Sequence, residues 1–139
     1  MRHLSSRLRL RRAGRAQEIS AVRALLESRG FMVSRQVESF LSEFNGRTIR
    51  FTRNGHPDSI AFNAERANGA ADPEWIAYYE GRTRTRLVPI GLANHEHLTL
   101  LQASEGGFYG AFDEFLCALG SDVAEMLDNL LNQDREPLA

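Results

Sequence analysis

Several residue types and patterns are scarce in this chain, and each scarcity excludes something. Among 139 residues there is one cysteine, Cys117, which excludes an internal disulfide and favours a reducing compartment. No run approaches the ~18 apolar residues of a membrane-spanning helix, and residues 1–15 lack the apolar stretch of a secretory signal. We therefore expect a cytoplasmic protein of one domain, without membrane contact.

The short motifs of common catalytic sites are missing as well. The chain has no phosphate-binding glycine loop, no G-x-G-x-x-G between a strand and a helix, and no G-x-S-x-G nucleophile turn. Cys117 lies in an apolar segment, where nothing nearby would make it a thiolate. No catalytic set emerges from the sequence, and we expect no cofactor.

Lysine is absent, and all seventeen basic residues are arginines, which we attribute to GC-rich coding. Six of these arginines fall in residues 1–15, which contain no acid. The other eleven stand against all eighteen acids, so residues 16–139 carry a net charge of about −7. The arginine-rich segment 1–15 is predicted to be disordered, and a nucleic-acid-binding arm or a targeting segment are its alternatives.

Apolar spacing and end signals predict four helices. Their start and stop signals are Ala16 to Gly30, Ser34 to Asn45-Gly46, Asp72-Pro73 to Gly81, and Ser121 for the last helix. The last helix would bury Val123, Met126, Leu127, Leu130 and Leu131. Residues 134–139 contain a proline and are predicted to fray.

Period-two alternation between turn signals predicts the strands. They are Arg47–Thr52, Ser59–Phe62, Leu87–Ile90, Leu98–Leu101 and Phe108–Phe112. Pro89 marks an edge strand or a bulge, and the segment Asp113–Gly120 reads as a turn with a short helical piece. The element order predicts one α+β domain over residues 16–133, with an antiparallel sheet of about five strands and helices packed on one face.

The segment His95-Glu96-His97 is the best candidate for a metal site. On an extended chain both histidines point to one face, but zinc needs three or four protein ligands. The remaining histidines are His3, in the arginine-rich segment, and His56, in a loop. The polar start of a strand explains these residues without a metal, so we expect none. A small metal-dependent or small-molecule-binding enzyme using His56 and residues 95–97 stays the alternative.

Four segments resemble motifs of one known family. Val37–Gly46 resembles its "FL-x-EF-G-G" junction from helix to strand, and Leu87–Gly91 its "PIG" strand. Gly106–Gly110 is similar to its "G-x-V/I-Y-G" hairpin, and Ala124–Leu131 to its final helix "EALD-x-LL". The family is the SUKH superfamily of bacterial immunity proteins, in its third, largely actinobacterial branch. The resemblance covers roughly residues 17–132.

This resemblance implies a non-catalytic protein that binds and neutralises the toxin domain of a polymorphic toxin encoded nearby, often a nuclease or a nucleic-acid deaminase. A net charge of about −7 on residues 16–139 suits a basic, nucleic-acid-facing cleft. We expect no direct nucleic-acid binding by the folded domain, and the oligomeric state stays open. Acids on loops and hairpin ends are predicted to contact the toxin: Asp58, Glu96, Glu105, Asp113 and Glu114.

Overall fold

The computed structural model describes the backbone of residues 2–132 and of Leu138, with side chains from residue 14 onward. The rest of the predicted frayed segment 134–139 lies outside the described residues. The elements are α1 (Arg2–Ser28), α2 (Arg35–Phe44), β1 (Thr48–Arg53), β2 (His56–Ala61), α3 (Ala64–Ala70), α4 (Pro73–Thr83), β3 (Leu87–Ala93), β4 (Leu98–Ala103), β5 (Phe108–Phe112), β6 (Phe115–Gly120) and α5 (Val123–Asn132).

Six strands form one antiparallel sheet in the order β1 to β6, which confirms the predicted α+β architecture. The prediction for residues 113–120 was wrong, because β6 occupies most of that segment. Phe112 pairs with Phe115, so only two residues make the turn, and Asp113 there has φ 47°. Aspartate tolerates this left-handed conformation, which two-residue hairpin turns require. The sequence lacks the usual Asn-Gly or Asp-Gly signal at this turn.

Neighbouring residues of a strand point to opposite faces, and both faces of this sheet are apolar. On the first face Leu98, Leu100 and Cys117 join a large core with α1, α2 and α5. On the second face Leu101 and Leu116 pack under α4 in a smaller core. The sequence predicts all helices on one face, whereas α4 lies on the opposite one. An apolar stripe identifies a helix as amphipathic but does not say which surface it covers.

The backbone of α1 is helical from Arg2, although the sequence predicts disorder through residue 15. Arginine and leucine, frequent here, are good helix formers. Arg15 donates hydrogen bonds to the carbonyl oxygens of Leu41 at 3.1 Å, Ser42 at 3.1 Å and Asn45 at 2.5 Å. These carbonyls end α2, where intrahelical donors run out. Arg15 therefore caps α2 from a neighbouring helix.

Two predicted N-caps are confirmed and one was wrong. Ser34 Oγ accepts from the Val37 N–H at 3.2 Å, and Asp72 Oδ1 accepts from the Glu74 N–H at 2.8 Å. The cap of α5 is Asp122 rather than its neighbour Ser121. Helix α4 continues past the predicted stop at residue 81. The sequence did not predict α3, because its short alanine-rich segment has no apolar stripe.

The "PIG" segment is explained by close backbone packing. Of the two alternatives predicted from Pro89, the bulge is confirmed and the edge strand is wrong, because the pairing of β3 with β4 shifts between Pro89 and Gly91 and β3 lies inside the sheet. A Cβ atom added to Gly91 would lie 2.5 Å from the Ala61 carbonyl oxygen of β2. Only glycine therefore fits where β3 passes this close to β2.

Candidate functional site

An open groove of about 600 Å³ lies beside α4, where the β3–β4 turn and the β5–β6 hairpin meet. We call this region, made of Asp72–Tyr79, residues 94–97 and residues 112–114, the loop end. The groove is lined by Ala70, Ala71, Asp72, Trp75, Ile76, Tyr79, Glu96, His97, Thr99, Phe112 and Asp113. Aromatic and acidic residues therefore meet at one concave surface.

Helix α4 provides the aromatic wall of the groove. Trp75 and Tyr79 are four residues apart and share one face of the helix, with stacked rings 6.0 Å apart. The Tyr79 hydroxyl donates to the Asp113 carbonyl oxygen at 2.6 Å, which ties α4 to the β5–β6 hairpin. Burial, then the Asp113 carboxylate and Tyr78, raise the pKa of Tyr79 to about 12. Tyr79 is therefore a hydrogen-bond donor throughout the physiological pH range.

The turn between β3 and β4 has an unusual backbone. Asn94, His95 and Glu96 have φ values of 52°, 54° and 70°, three consecutive left-handed residues without a glycine. Such conformations cost roughly 1–2 kcal/mol each for most side chains. The prediction that these residues begin a strand was wrong, since β4 begins only at Leu98. Surrounding contacts must hold this strained turn in place.

Asp58 and Arg53 are those contacts. Asp58 Oδ1 accepts from the His95 N–H at 3.1 Å, and Arg53 Nη1 donates to Asn94 Oδ1 at 3.1 Å and to Asp58 Oδ2 at 3.3 Å. The Asp58 side chain is only 5% exposed. Burial alone would raise the pKa of Asp58, but the N–H groups of Ser59 and His95, with the positive charges nearby, lower it below its ordinary value. Asp58 thus supports the turn from beneath, with its carboxylate almost fully buried.

The other predicted contact acids divide between two ends of the sheet. Glu96 and Asp113 line the groove, and the exposed Glu114 follows on the same hairpin. Glu96 pairs with Arg66 of α3. Glu105 lies at the opposite end, on the β4–β5 hairpin, where it accepts from Thr85 Oγ1 at 2.9 Å. Sequence reasoning missed Asp72 as a groove residue, although its N-cap signal located it correctly.

The histidines do not assemble a metal site in the part of the chain whose side chains are described. There, no group of three or more His, Cys, Asp or Glu side chains is close enough to hold a metal ion. His95 Nδ1 lies 3.9 Å from Asp58 Oδ1, and His97 lines the groove. His3 is outside the described side chains. Within the same limits, none of the helices is long and apolar enough to cross a membrane.

Fold and groove together define a class: a single α+β domain whose concave surface presents aromatic and charged side chains, as protein-binding surfaces do. The SUKH-3 immunity protein family matches residues 11–133, and the chain belongs to this family. The match confirms the predicted superfamily, and it implies a toxin-neutralising, non-enzymatic role. No curated protein and no solved structure matches the chain significantly.

Proposed function

We propose that this protein neutralises a cognate toxin domain, encoded nearby, by binding the basic face with which that toxin contacts nucleic acid. The toxin would be a nuclease or a nucleic-acid deaminase, because such enzymes need positive charge to attract phosphates. The protein would act in the cytoplasm, as a binding partner without catalysis or cofactor. The observation that carries this proposal is the groove at the loop end, where Trp75 lies beside Asp72, Glu96 and Asp113.

Charge and aromatic exposure both support this surface. Residues 16–139 carry a net charge of about −7, which accelerates the approach of a basic partner. At the loop end Phe112 is 47% exposed, stacked on Phe115 with ring centroids 4.8 Å apart. Large aromatic side chains held at the surface are typical anchors of protein interfaces. An acidic rim around aromatic anchors fits a basic protein surface.

The five predicted acids take different roles in this proposal. Glu96, Asp113 and Glu114 are proposed to contact the toxin directly. Asp58 is proposed to act through the turn that it supports, as a positioning residue. Glu105, at the other end of the sheet, is expected to contribute only to long-range attraction.

Co-expression with the neighbouring toxin tests the proposal. Changing the three contact acids together (Glu96→Lys, Asp113→Asn, Glu114→Lys) should abolish protection of the cells at unchanged expression, and asparagine at position 113 keeps a residue that tolerates positive φ. The matched control is Glu105→Lys, which should protect almost fully. Full protection by the triple variant would show that the loop end is not the binding surface. If the wild type binds no neighbouring gene product, the immunity function itself is wrong.

A further inference from the structure

We infer that the groove at the loop end is a receptor for a single guanidinium group, the side chain of an arginine presented by the toxin domain. The identity of the partner rests on the proposed function. Guanidinium binding is inferred from the groove's own residues and does not depend on the toxin.

The groove is built to attract a cation. Its acids are Asp72, Glu96 and Asp113, and no arginine lines it in the described part of the chain. The Asp113 carboxylate has no ion pair or side-chain hydrogen bond with any described residue, while its backbone carbonyl is held by Tyr79. Asp72 uses one carboxylate oxygen to cap α4. Negative charge is therefore available beside the aromatic wall.

The described acids of the groove are not grouped as the ligands of a metal ion would be. Divalent ions need several ligand atoms within ~2.6 Å, and the described acids and histidines form no such group. A guanidinium is flat, spreads its charge over three nitrogens, and can reach carboxylates that stand apart. Separate carboxylates beside an aromatic ring thus suit an extended organic cation.

The aromatic wall favours arginine over lysine. The partly buried Trp75 lines the groove, with the buried Tyr79 ring stacked behind it, and indole is the strongest cation–π partner among side chains. Guanidinium is more weakly hydrated than ammonium and stacks flat on aromatic faces. Arg66 already pairs with Glu96 at the rim, so the carboxylates that remain for an incoming guanidinium are those of Asp72 and Asp113. A guanidinium is therefore compatible with this surface.

A second groove, on the other side of α4, has the opposite character. It is lined by Arg29 and Arg86 together with apolar residues such as Phe31 and Pro73. Its one acid, Glu80, already pairs with Arg86 at 3.4 Å. An incoming arginine would be repelled there. The two grooves therefore direct a cationic side chain to one side of α4.

Trp75 offers a direct readout, because it is the protein's only tryptophan. We would titrate the protein with N-acetylarginine amide, with its lysine analogue, and with the uncharged isostere N-acetylcitrulline amide. The arginine derivative should give a saturable change in Trp75 fluorescence. Half-saturation should require at least fivefold more of the lysine derivative, and the citrulline derivative should give no saturable change.

Two variants locate the effect. Asp113→Asn keeps a residue that tolerates positive φ but removes the charge, and it should weaken the arginine response at least fivefold with unchanged melting temperature. Glu105→Gln, at the opposite end of the sheet, should respond like the wild type. An arginine response that is absent, matched by lysine or citrulline, or retained in Asp113→Asn would overturn the inference even if a toxin binds. A positive titration with no toxin binding would remove the proposed function and leave the cation site.

Discussion

The first face of the sheet buries its apolar residues, whereas the loop end keeps an apolar residue exposed beside a strained turn. On the first face, Leu41, Leu100 and Met126 are fully buried between helices and strands. At the loop end, Phe112 stays half exposed, and three consecutive residues of the β3–β4 turn are left-handed. Burial of apolar area stabilises a fold, whereas exposure and strain weaken it. The buried core on the first face therefore provides most of the stability, whereas the exposed aromatic ring and the strained turn at the loop end lower it.

The strongest way to test this division is to create a cavity in the first face. Leu100→Ala should lower the free energy of unfolding by ~3 kcal/mol, because a buried leucine loses both its transfer energy and its packing. Urea unfolding followed by circular dichroism measures the change. Toxin binding by the folded protein should stay within about twofold of wild type. A large loss of binding at native conditions would show that the two regions are coupled.

The support of the strained turn should have the next largest effect. Asp58→Asn should cost about 1–3 kcal/mol at pH 7, because buried hydrogen bonds to a charged acceptor are lost. The pKa of Asp58 is lowered in the folded protein. Its contribution to stability is therefore present above the unfolded pKa of ~3.9 and is lost as pH falls through the folded pKa. Unfolding measured between neutral and acidic pH should therefore show a smaller pH dependence in the variant. An equal pH dependence would contradict this role for Asp58.

An exposed aromatic residue at the loop end should behave in the opposite way to Leu100. Phe112→Ala should change the free energy of unfolding by less than ~1 kcal/mol, as exposed positions usually do. Its dissociation constant for the toxin should rise at least tenfold, because interface anchors carry much of the binding energy. Calorimetric titration and urea unfolding on the same sample separate the two effects. A variant that is destabilised but binds the toxin with normal affinity would show that Phe112 stabilises the fold and does not contact the toxin.

The smallest effect is expected at the bond that joins α4 to the β5–β6 hairpin. Tyr79→Phe removes the hydrogen bond to the Asp113 carbonyl oxygen and should cost ~1 kcal/mol. The raised pKa of about 12 means that this contribution is complete below the unfolded pKa and is lost as pH rises through 12. Absorbance titration should show one tyrosine with a midpoint near 12 that disappears in Tyr79→Phe. Persistence of that titration would assign it to another residue.

Much of the fold was readable from the sequence because its signals are local. The caps at Ser34 and Asp72 depend on a side chain and an N–H two or three residues away. The five predicted strands correspond to β1–β5, since alternation and turn residues are close in sequence. The exceptions were β6, whose hairpin turn lacks the usual Asn-Gly or Asp-Gly residues, and α3, which has no apolar stripe.

The candidate site was only partly readable. Hairpin position correctly indicated that Glu96, Asp113 and Glu114 are exposed. Asp58 has the same kind of sequence context, yet its carboxylate is buried beneath another turn. Burial of a polar side chain depends on which distant residues pack over it, and these cannot be inferred from its neighbours in the sequence.

The sequence by itself determined most element types and most of their ends, the acidic charge of residues 16–139 and the family resemblance. Each of these depends on composition or on neighbours within a few residues. Only the tertiary structure decided that α4 covers the second face and that Trp75 lies beside Glu96 and Asp113. Only the tertiary structure also assigned Arg15 to the end of α2. These contacts join residues far apart in the chain, so they exist only once the whole sheet and its helices have packed.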